Sequence, residues 1–431
     1  MKKILTWVTA LALTVGLATG CSANSSNSQN TNSPSSTSAN NSSNAQDVEI
    51  HYAYWQESLS GYLAEAQKAF EAQNPGVKII LEPTAWSEYW TKIETAATGG
   101  SVADVFHMNG VNISKYASGD VLLPLDDRIS ASSVDLKNYP EAMVELYNLS
   151  DKQYGIPLDY DTIGLWYNKS LFDAANVPYP TSDWTWEDLA SAAEKLTDAD
   201  KGIYGINAGY ADQQNFYNTV FATGGYIVDG ETFGFDDPNT RKGLQVWYDL
   251  MKAGVSPSEI SLEENEGYLQ FMSGKLAMTF AGDWMVSFFS SEDSAVADVC
   301  DVVELPTLGG KRASVIHGKA NVISASTAHP DEAFKWVEFL GNAEANEILG
   351  KSGVAIPAHL DYSGLFFEQY PQYNMNIYLD AAKNYSYKYP SSTSQVPWAD
   401  IMWTELVRAF KLDITIDQAC DNIMDQIEAA S

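Results

Sequence analysis

The sequence predicts an α/β protein with mostly parallel sheets and room for two domains. Strand-like and helix-like segments alternate over residues 48–109, an order typical of parallel sheets with crossover helices. The chain has 431 residues, which is enough for two hydrophobic cores. Residues 104–109 have the pattern of a short buried strand that ends on the polar side chain of Asn109. In open α/β sheets, ligands bind at such carboxyl ends of strands.

The first elements follow from hydrophobic spacing. Alternating apolar side chains predict a strand over 48–54, which Trp55 follows at its carboxyl end. Helical spacing over 59–70 ends at the Asn74-Pro75-Gly76 turn. The same two patterns predict a strand over 77–81, a helix over 86–97 and a third strand from 104. We expect these strands to pair side by side.

The later elements have weaker but readable signals. Thr185 is a predicted N-cap with Asp188 three residues on, which starts a helix. Residues 313–324 are strand-like on both sides of a polar kink at His317. Helical spacing returns over 243–252, 398–410 and 415–430.

Composition excludes several classes of function. The net charge of −31 makes tight binding to nucleic acid or to an anionic membrane surface unfavourable. Five scattered histidines and three cysteines indicate neither a metal site nor a disulfide framework, and no cofactor motif occurs. Whether Cys300 and Cys420 meet stays open. The 12 Trp and 24 Tyr residues suit a sugar site, because aromatic faces stack on the apolar faces of sugar rings.

The N-terminus has the pattern of a secretion signal. Lys2 and Lys3 precede an apolar stretch over 4–16 that is too short to span a bilayer. Residues 17–21 (LATGC) resemble a bacterial lipobox, which implies cleavage before Cys21 and its lipidation; Ala18 stands where Leu is most usual. The alternative is a plain secretory signal with an incidental cysteine. Residues 22–46 are almost entirely Ser, Asn, Thr, Gln and Ala, the composition of a flexible tether.

Four phrases occur in an order that resembles a known family. They are DVFHMNG with the later GDVLLPLD from Asp104, YGIPLDYDTIGLWYNK from Tyr154, AGDW at 281–284 and GVAIPA from Gly353. Together they resemble the extracellular solute-binding proteins of sugar-importing ABC transporters, which include maltose-binding proteins. The resemblance implies a two-lobed periplasmic-binding-protein-like fold of type II. Each lobe is then a mostly parallel sheet flanked by helices, and the ligand cleft lies between the lobes.

The resemblance also implies a division of the chain. We expect a lipoprotein signal peptide over 1–20 and a lipid-anchored linker over 21–46. The N-terminal lobe is then 47–158 plus 319–366, and the C-terminal lobe is 159–318 plus 367–431. The chain therefore crosses between lobes three times.

The implied function is capture of a sugar or oligosaccharide and its delivery to the permease subunits of an ABC importer. The expected protein is a monomer without enzymatic activity, anchored at Cys21 on the extracytoplasmic face of the cell membrane. Trp284 occupies the family's stacking position, and at least one of Trp398 and Trp403 is expected in the core. Strand ends and the resemblance together nominate these ligand-binding residues: Trp55, Gln56, Asn109, Asp159, Tyr160, Asp161, Tyr226, Asp283, Trp284, His317, Trp398 and Trp403.

A secreted glycosidase is the alternative function. Asp159 and Asp161 are two residues apart on an extended segment, so their backbones lie roughly 6–7 Å apart. That separation is within the range of a catalytic carboxylate pair. No catalytic motif accompanies the pair, so the predicted role of both residues is to accept hydrogen bonds from a sugar.

Overall fold

The structure is a computed structural model that describes residues 47–392, 394 and 396–431. The predicted signal peptide, Cys21 and the tether over 22–46 lie outside the described residues. Within them, no helix has both the length and the apolar character needed to cross a bilayer.

Seventeen strands are present in the described residues. In chain order they are β1 Val48–Tyr54, β2 Val77–Pro83, β3 Val105–Asn109, β4 Asn148–Leu149, β5 Lys152–Gln153, β6 Gly155–Pro157, β7 Asp159–Tyr160, β8 Ile163–Asn168, β9 Tyr204–Ile206, β10 Val228–Asp229, β11 Thr232–Phe233, β12 Leu276–Gly282, β13 Cys300–Val303, β14 Ser314–Ile316, β15 Lys319–Ile323, β16 Ile356–Pro357 and β17 Ser386–Lys388.

Eighteen α-helices accompany them in the same described part of the chain. They are α1 Ser60–Gln73, α2 Trp86–Thr98, α3 Ile113–Ser118, α4 Asp126–Ser130, α5 Glu141–Leu146, α6 Lys169–Ala175, α7 Trp186–Leu196, α8 Tyr217–Thr223, α9 Pro238–Lys252, α10 Glu259–Glu264, α11 Gly267–Met272, α12 Val286–Phe289, α13 Pro330–Leu340, α14 Ala343–Ser352, α15 Ser363–Phe367, α16 Asn376–Asn384, α17 Trp398–Phe410 and α18 Ile416–Ala430.

Two sheets organise the described chain into two lobes. The first has the strand order β2-β1-β3-β15-β6, and the second has the order β13-β8-β12-β9. The strands and helices predicted over 48–109 are confirmed as β1, α1, β2, α2 and β3. The capping box at the start of α7 is confirmed too, with Thr185 and Asp188 each bonding to the other's backbone N–H. This cap satisfies two donors that a helix start otherwise leaves unpaired.

The strand directions agree with the predicted mostly parallel sheets: four of the five strands in the first sheet and three of the four in the second share one direction. Parallel pairing joins β1 to β2 and to β3 in the first sheet, and β12 to β9 in the second. The pairs β15–β3, β15–β6, β12–β8 and β13–β8 are antiparallel. The helix-linked strands β1–β3 run the same way because each helix returns the chain to the start of the next strand. Among the described strands, β15 runs against the rest of the first sheet and β8 against the rest of the second, and each of them follows a lobe crossing.

Three crossings connect the two sheets. The first runs from β6 through β7 to β8, and the second runs from β14 through the His317 kink to β15. In the third, α15 packs against α14 and β16 of the first lobe, while α16 packs against β8 of the second.

Aromatic side chains fill much of the core on one face of the first sheet. Trp336 on α13 is fully buried, and its ring centroid lies 5.8 Å from Tyr52 and 5.1 Å from Phe70. Burial of rings this large holds β1, α1 and α13 together. Cys300 and Cys420 are both buried and free.

Candidate functional site

The ends of several strands meet beside the crossings. The register pairs Lys319 at the start of β15 with Asn109 at the end of β3. In the second sheet, Gly282 at the end of β12 pairs with Ile163 at the start of β8. Residues that follow β1, β3, β6 and β12 therefore lie near the chain segments that join the lobes. We describe this region as the candidate site.

The first two crossings are tied together by an ion pair. The Asp159 carboxylate contacts the Lys319 ammonium through Oδ2, and its Oδ1 accepts a hydrogen bond from the Lys319 backbone N–H at 2.7 Å. Both side chains are largely buried, with 4% of Asp159 and 13% of Lys319 exposed. Gly318 between the partners has φ of 151°, and a Cβ there would collide with the backbone of Asp159 and Tyr160. Only glycine allows this approach without strain.

Asp161 lies on the same crossing and is partly open to solvent. Its backbone exchanges two hydrogen bonds with His317, and its Oδ1 accepts one from Gln213 Nε2 at 2.5 Å. Burial, assisted by the nearby Asp159 carboxylate, raises the pKa of Asp161 to about 7. A group with this pKa changes charge near neutral pH.

His317 connects the second crossing to the end of β3. Its Nε2 accepts a hydrogen bond from the Gly110 N–H at 3.2 Å, so the neutral ring carries its proton on Nδ1. Burial, with a smaller contribution from Lys319, lowers the pKa of His317 to about 3. The ring packs on Tyr389 at 4.5 Å between centroids. The imidazole is therefore uncharged at physiological pH.

Asp283 and Trp284 follow the last residue of β12. Asp283 is 3% exposed, and its Oδ1 is buried with no hydrogen-bond partner among the described residues. Burial, then the Asp161 and Asp159 carboxylates, raises the pKa of Asp283 well above its usual range. The Trp284 ring is partly exposed and folds back over Gly282, where a Cβ would overlap it.

An aromatic cluster occupies the strand ends of the first lobe. The Trp55 ring lies 5.4 Å from Trp86, 5.1 Å from Tyr89 and 5.7 Å from Trp90. It also lies 5.1 Å from His107, which is buried and whose pKa burial lowers well below its usual range. Trp86 begins α2 and is 54% exposed, so this cluster offers an open ring face. We call Trp55, Trp86, Tyr89 and Trp90 the aromatic cluster.

A cavity of about 280 Å³ opens at the carboxyl ends of β9 and β12. Its lining includes Asn207, Tyr210, Ala281 and Trp403. Trp403 is 54% exposed, whereas Trp398 is partly buried near Phe233. Of the two tryptophans on α17, Trp403 is therefore the one with a ring free to contact a ligand.

Four other predicted ligand residues differ in burial and in hydrogen bonding. Asn109 is 3% exposed, and its Oδ1 accepts hydrogen bonds from the backbone and side chain of Asn112. Tyr160 is buried, and its hydroxyl has no partner among the described residues. The Gln56 side-chain amide donates a hydrogen bond to the Ser58 hydroxyl, beside Trp55. Tyr226 lines a separate cavity of about 340 Å³ with Phe221 and Tyr387, and its backbone bonds Thr240.

Sequence reasoning missed several residues of this region. Lys319 lies two residues after His317, in the polar kink of the sequence, but its partner Asp159 is 160 positions away. Gln213 lies 52 positions from Asp161, on a π-helix (Asp212–Phe216) with no distinctive sequence signal. Trp86 and Trp90 have the spacing of a helix stripe, which conceals that they gather around Trp55.

The fold is two-lobed, and the polar and aromatic side chains of the candidate site lie beside the lobe crossings. The sequence matches the family described as bacterial extracellular solute-binding protein over residues 52–347. This chain therefore belongs to that family. Its fold is the two-lobed periplasmic-binding fold of type II that the sequence predicted.

Individual relatives of this chain have names that are consistent with this family. An uncharacterised ABC transporter extracellular-binding protein of Pyrococcus horikoshii is 26% identical over 331 residues, 73% of this chain and 72% of the relative. A maltooligosaccharide ABC transporter solute-binding lipoprotein of Streptococcus pneumoniae is 26% identical over 322 residues, 72% of each chain. A solved ABC substrate-binding protein of Listeria monocytogenes, in complex with cycloalternan, is 26% identical with a TM-score of 0.79 and covers 89% of this chain and 98% of its own.

Proposed function

We propose that this chain captures a sugar or oligosaccharide between its lobes and delivers it to the permease of an ABC importer. The observation that carries the proposal is the meeting of open aromatic rings and polar side chains beside the crossings. Aromatic faces supply contact area, while carboxylates and amides that accept hydroxyl hydrogen bonds supply orientation. The relatives that are named for oligosaccharides and for a bound cyclic sugar support the same ligand class.

The proposed mechanism is closure of the lobes around the sugar. A ligand that contacts both lobes binds the closed state more tightly than the open one and so shifts the population toward closure. The aromatic cluster belongs to the first lobe, and Trp284 and Trp403 belong to the second. The closed form then presents both lobes to the permease.

The proposed division of the chain follows the sequence prediction. The N-terminal lobe is 47–158 plus 319–366, and the C-terminal lobe is 159–318 plus 367–431. The pairing of β15 with β3 and of β12 with β8 supports this division. The body works as a monomer at the outer face of the cell membrane.

The proposed anchor is a lipid on Cys21, with 22–46 as the tether. Two acyl chains are sufficient for stable anchoring at about 0.8 kcal/mol per buried CH₂. Cys21→Ser should move the protein from the membrane fraction to the soluble fraction and leave sugar affinity unchanged. Retention of the variant on membranes after a high-salt wash would contradict the anchor.

The glycosidase alternative requires two carboxyl groups that are free to exchange protons with a substrate. Asp159 is engaged with both the ammonium and the backbone of Lys319, which speaks against that role. Incubation with the best-binding oligosaccharide should leave the sugar intact. Shorter products that disappear in Asp159→Asn and Asp161→Asn would favour the enzyme.

A thermal-shift screen of mono- and oligosaccharides tests the proposed function. A ligand that binds only the native state at 100 times its Kd stabilises it by about 2.7 kcal/mol, which raises Tm by several degrees. Trp284→Ala should abolish this rise. Tyr179→Ala is the matched control, because Tyr179 is also a partly exposed ring but packs on Tyr167 and Phe172 away from the crossings. If no sugar raises Tm, the proposed function is wrong.

A further inference from the structure

Four carboxylates gather around the first two crossings. Asp159 and Asp161 lie on the first crossing. The β12–β8 register ends with Gly282 opposite Ile163, so Asp283 follows one partner of this last pair and Asp161 precedes the other by two residues. Asp212 precedes Gln213, the side chain that donates to Asp161, and accepts a hydrogen bond from Tyr389 at 3.0 Å. The mutual repulsion of these groups disfavours their simultaneous ionisation unless positive charge is supplied.

The described residues supply little positive charge. Over 47–392, 394 and 396–431, Lys319 is the only basic side chain that forms an ion pair with any of the four, and it contacts Asp159. His317 does not add a second cation, because its Nε2 accepts the hydrogen bond from Gly110 and burial keeps the ring neutral. The region therefore contains more carboxyl groups than the positive charges of the described residues can neutralise.

Two carboxylates in this region have oxygens without a donor among the described residues. Asp283 is 3% exposed, and its buried Oδ1 has no partner in the described part of the chain. Asp161 uses Oδ1 for Gln213, and its Oδ2 accepts nothing from the described residues. A buried acceptor without a partner costs roughly 1–3 kcal/mol, more when it is charged. Such a cost is offset when a ligand brings the missing donor.

The missing donor is better matched by an organic ammonium than by a metal ion. No group of three or more His, Cys, Asp or Glu side chains in the described residues is arranged to hold a metal. An ammonium has three N–H donors and one positive charge, which suits two carboxylates with a free oxygen each. The partly exposed Trp284 ring beside Asp283 adds a face that attracts cations.

We propose that the sugar bound by this protein carries a protonated amino group, and that Asp161 and Asp283 hold its ammonium. This inference rests on the proposed function and narrows its substrate class to amino sugars. Without such a ligand, the two carboxyls relieve their repulsion by keeping protons, in agreement with the raised pKa of both groups. An arriving ammonium ionises them, so binding releases protons.

Matched sugars that differ only at the amino position test the proposal. Glucosamine, galactosamine and the glucosamine dimer chitobiose are compared with glucose, galactose and cellobiose, and with the N-acetylated forms. Titration calorimetry on the mature wild-type protein measures each affinity at low and high salt. We expect the preferred amino sugar to bind about tenfold or more tighter than its neutral and acetylated counterparts, with the preference reduced by salt.

Proton release gives a second readout. Repeating the titration at pH 7 in two buffers of different ionisation enthalpy should show proton release with the amino sugar and none with its neutral counterpart. Asp161→Asn and Asp283→Asn should each reduce the preference to about threefold or less. Because Asp161 is partly exposed, its amide variant keeps the test available if Asp283→Asn fails to fold. Asp380→Asn, an exposed aspartate on α16, should keep the wild-type preference.

The outcomes separate this proposal from the one on which it rests. Tighter binding of an amino sugar that is lost in Asp161→Asn supports both. Neutral or acetylated sugars that bind as tightly as the amino sugars overturn the ammonium site and leave the sugar-binding function standing. A preference unchanged in both amide variants also overturns it. Failure of every sugar to bind overturns the function and the narrower proposal together.

Discussion

The two lobes bring different chemistry to the crossings. The first lobe contributes the aromatic cluster around Trp55, where the His107 ring in contact with Trp55 is held neutral by burial. The second lobe and the crossings contribute carboxylates, of which Asp161 and Asp283 keep oxygens without donors. The difference indicates a division of labour, in which one lobe supplies stacking area and the other supplies charge and orientation.

This division predicts different costs for mutations on the two sides. An exposed ring in a ligand site contributes little to the free energy of unfolding. Removal of one partner from a buried ion pair, in contrast, destabilises the protein strongly. Four sets of variants test this contrast, in decreasing order of expected effect.

Lys319→Met should have the largest effect on stability. It leaves the buried Asp159 carboxylate without its ammonium, at a cost of about 3–5 kcal/mol. Lys351→Met is the control, because the Lys351–Glu347 pair is exposed and is worth about 0.3–0.5 kcal/mol. Urea unfolding of both variants measures the difference. Equal losses would mean that the crossing ion pair is no more important than a surface pair.

Gly282→Ala should weaken sugar binding by about tenfold to a hundredfold, equivalent to about 1.4–2.8 kcal/mol. The added methyl group occupies space that the Trp284 ring now fills, so the ring must move. Gly364→Ala is the control, since a Cβ there meets no atom within 4 Å. Calorimetry with the best sugar from the screen measures the change. Unaltered affinity would show that the Trp284 ring does not contact the sugar.

Trp86→Ala should weaken sugar binding by about tenfold while costing little stability, since the ring is 54% exposed. Trp336→Ala provides the contrast: that ring is fully buried, and its loss should cost about 3–5 kcal/mol without a direct effect on the site. Thermal melts and titrations of both variants separate the two roles. A Trp86→Ala protein with full affinity would show that the aromatic cluster is only structural.

Asp161→Asn should have the smallest and most pH-dependent effect. The raised pKa means that the folded protein binds an extra proton between about pH 4 and pH 7, so wild-type stability falls as pH rises through this window. The groups that act on Asp161 are Asp159 and Asp283, which repel its charge, and Lys319, which attracts it. Asp161→Asn has no carboxyl to ionise, so its stability does not fall in this way. Its Tm should exceed that of the wild type by about 1–3 °C at pH 8.

The difference in Tm should shrink as pH falls toward 4, because the unfolded-state carboxyl also takes up its proton near that pH. Melts from pH 4 to pH 8 measure it. Asp380→Asn is again the control, with an exposed carboxylate that should give no such trend. A constant difference at all pH values would attribute the effect to the lost hydrogen bond from Gln213 and not to charge.

Local pattern was sufficient for the first elements of the first lobe and for the capping box of α7 in the second lobe. The alternation in β1 and the spacing in α1 and α2 depend on neighbours within a few residues, so the sequence predicted them closely. The phrases shared with the family also predicted the class of protein and its two-lobed fold. The prediction of mostly parallel sheets was confirmed, but the identity of the reversed strands β8 and β15 depends on how the crossings return the chain, which no local pattern encodes.

By itself, the sequence determined the order of the helices and strands, the family, and the positions of polar residues at strand ends. Only the tertiary structure decided which of those residues face one another. The Asp159–Lys319 ion pair and the Asp161–Gln213 hydrogen bond join residues 160 and 52 positions apart. The tertiary structure also decided that Trp86 is open while Trp336 is buried. Burial and pairing depend on packing between distant segments, because a side chain's spacing shows which face of its element it occupies but not what covers that face.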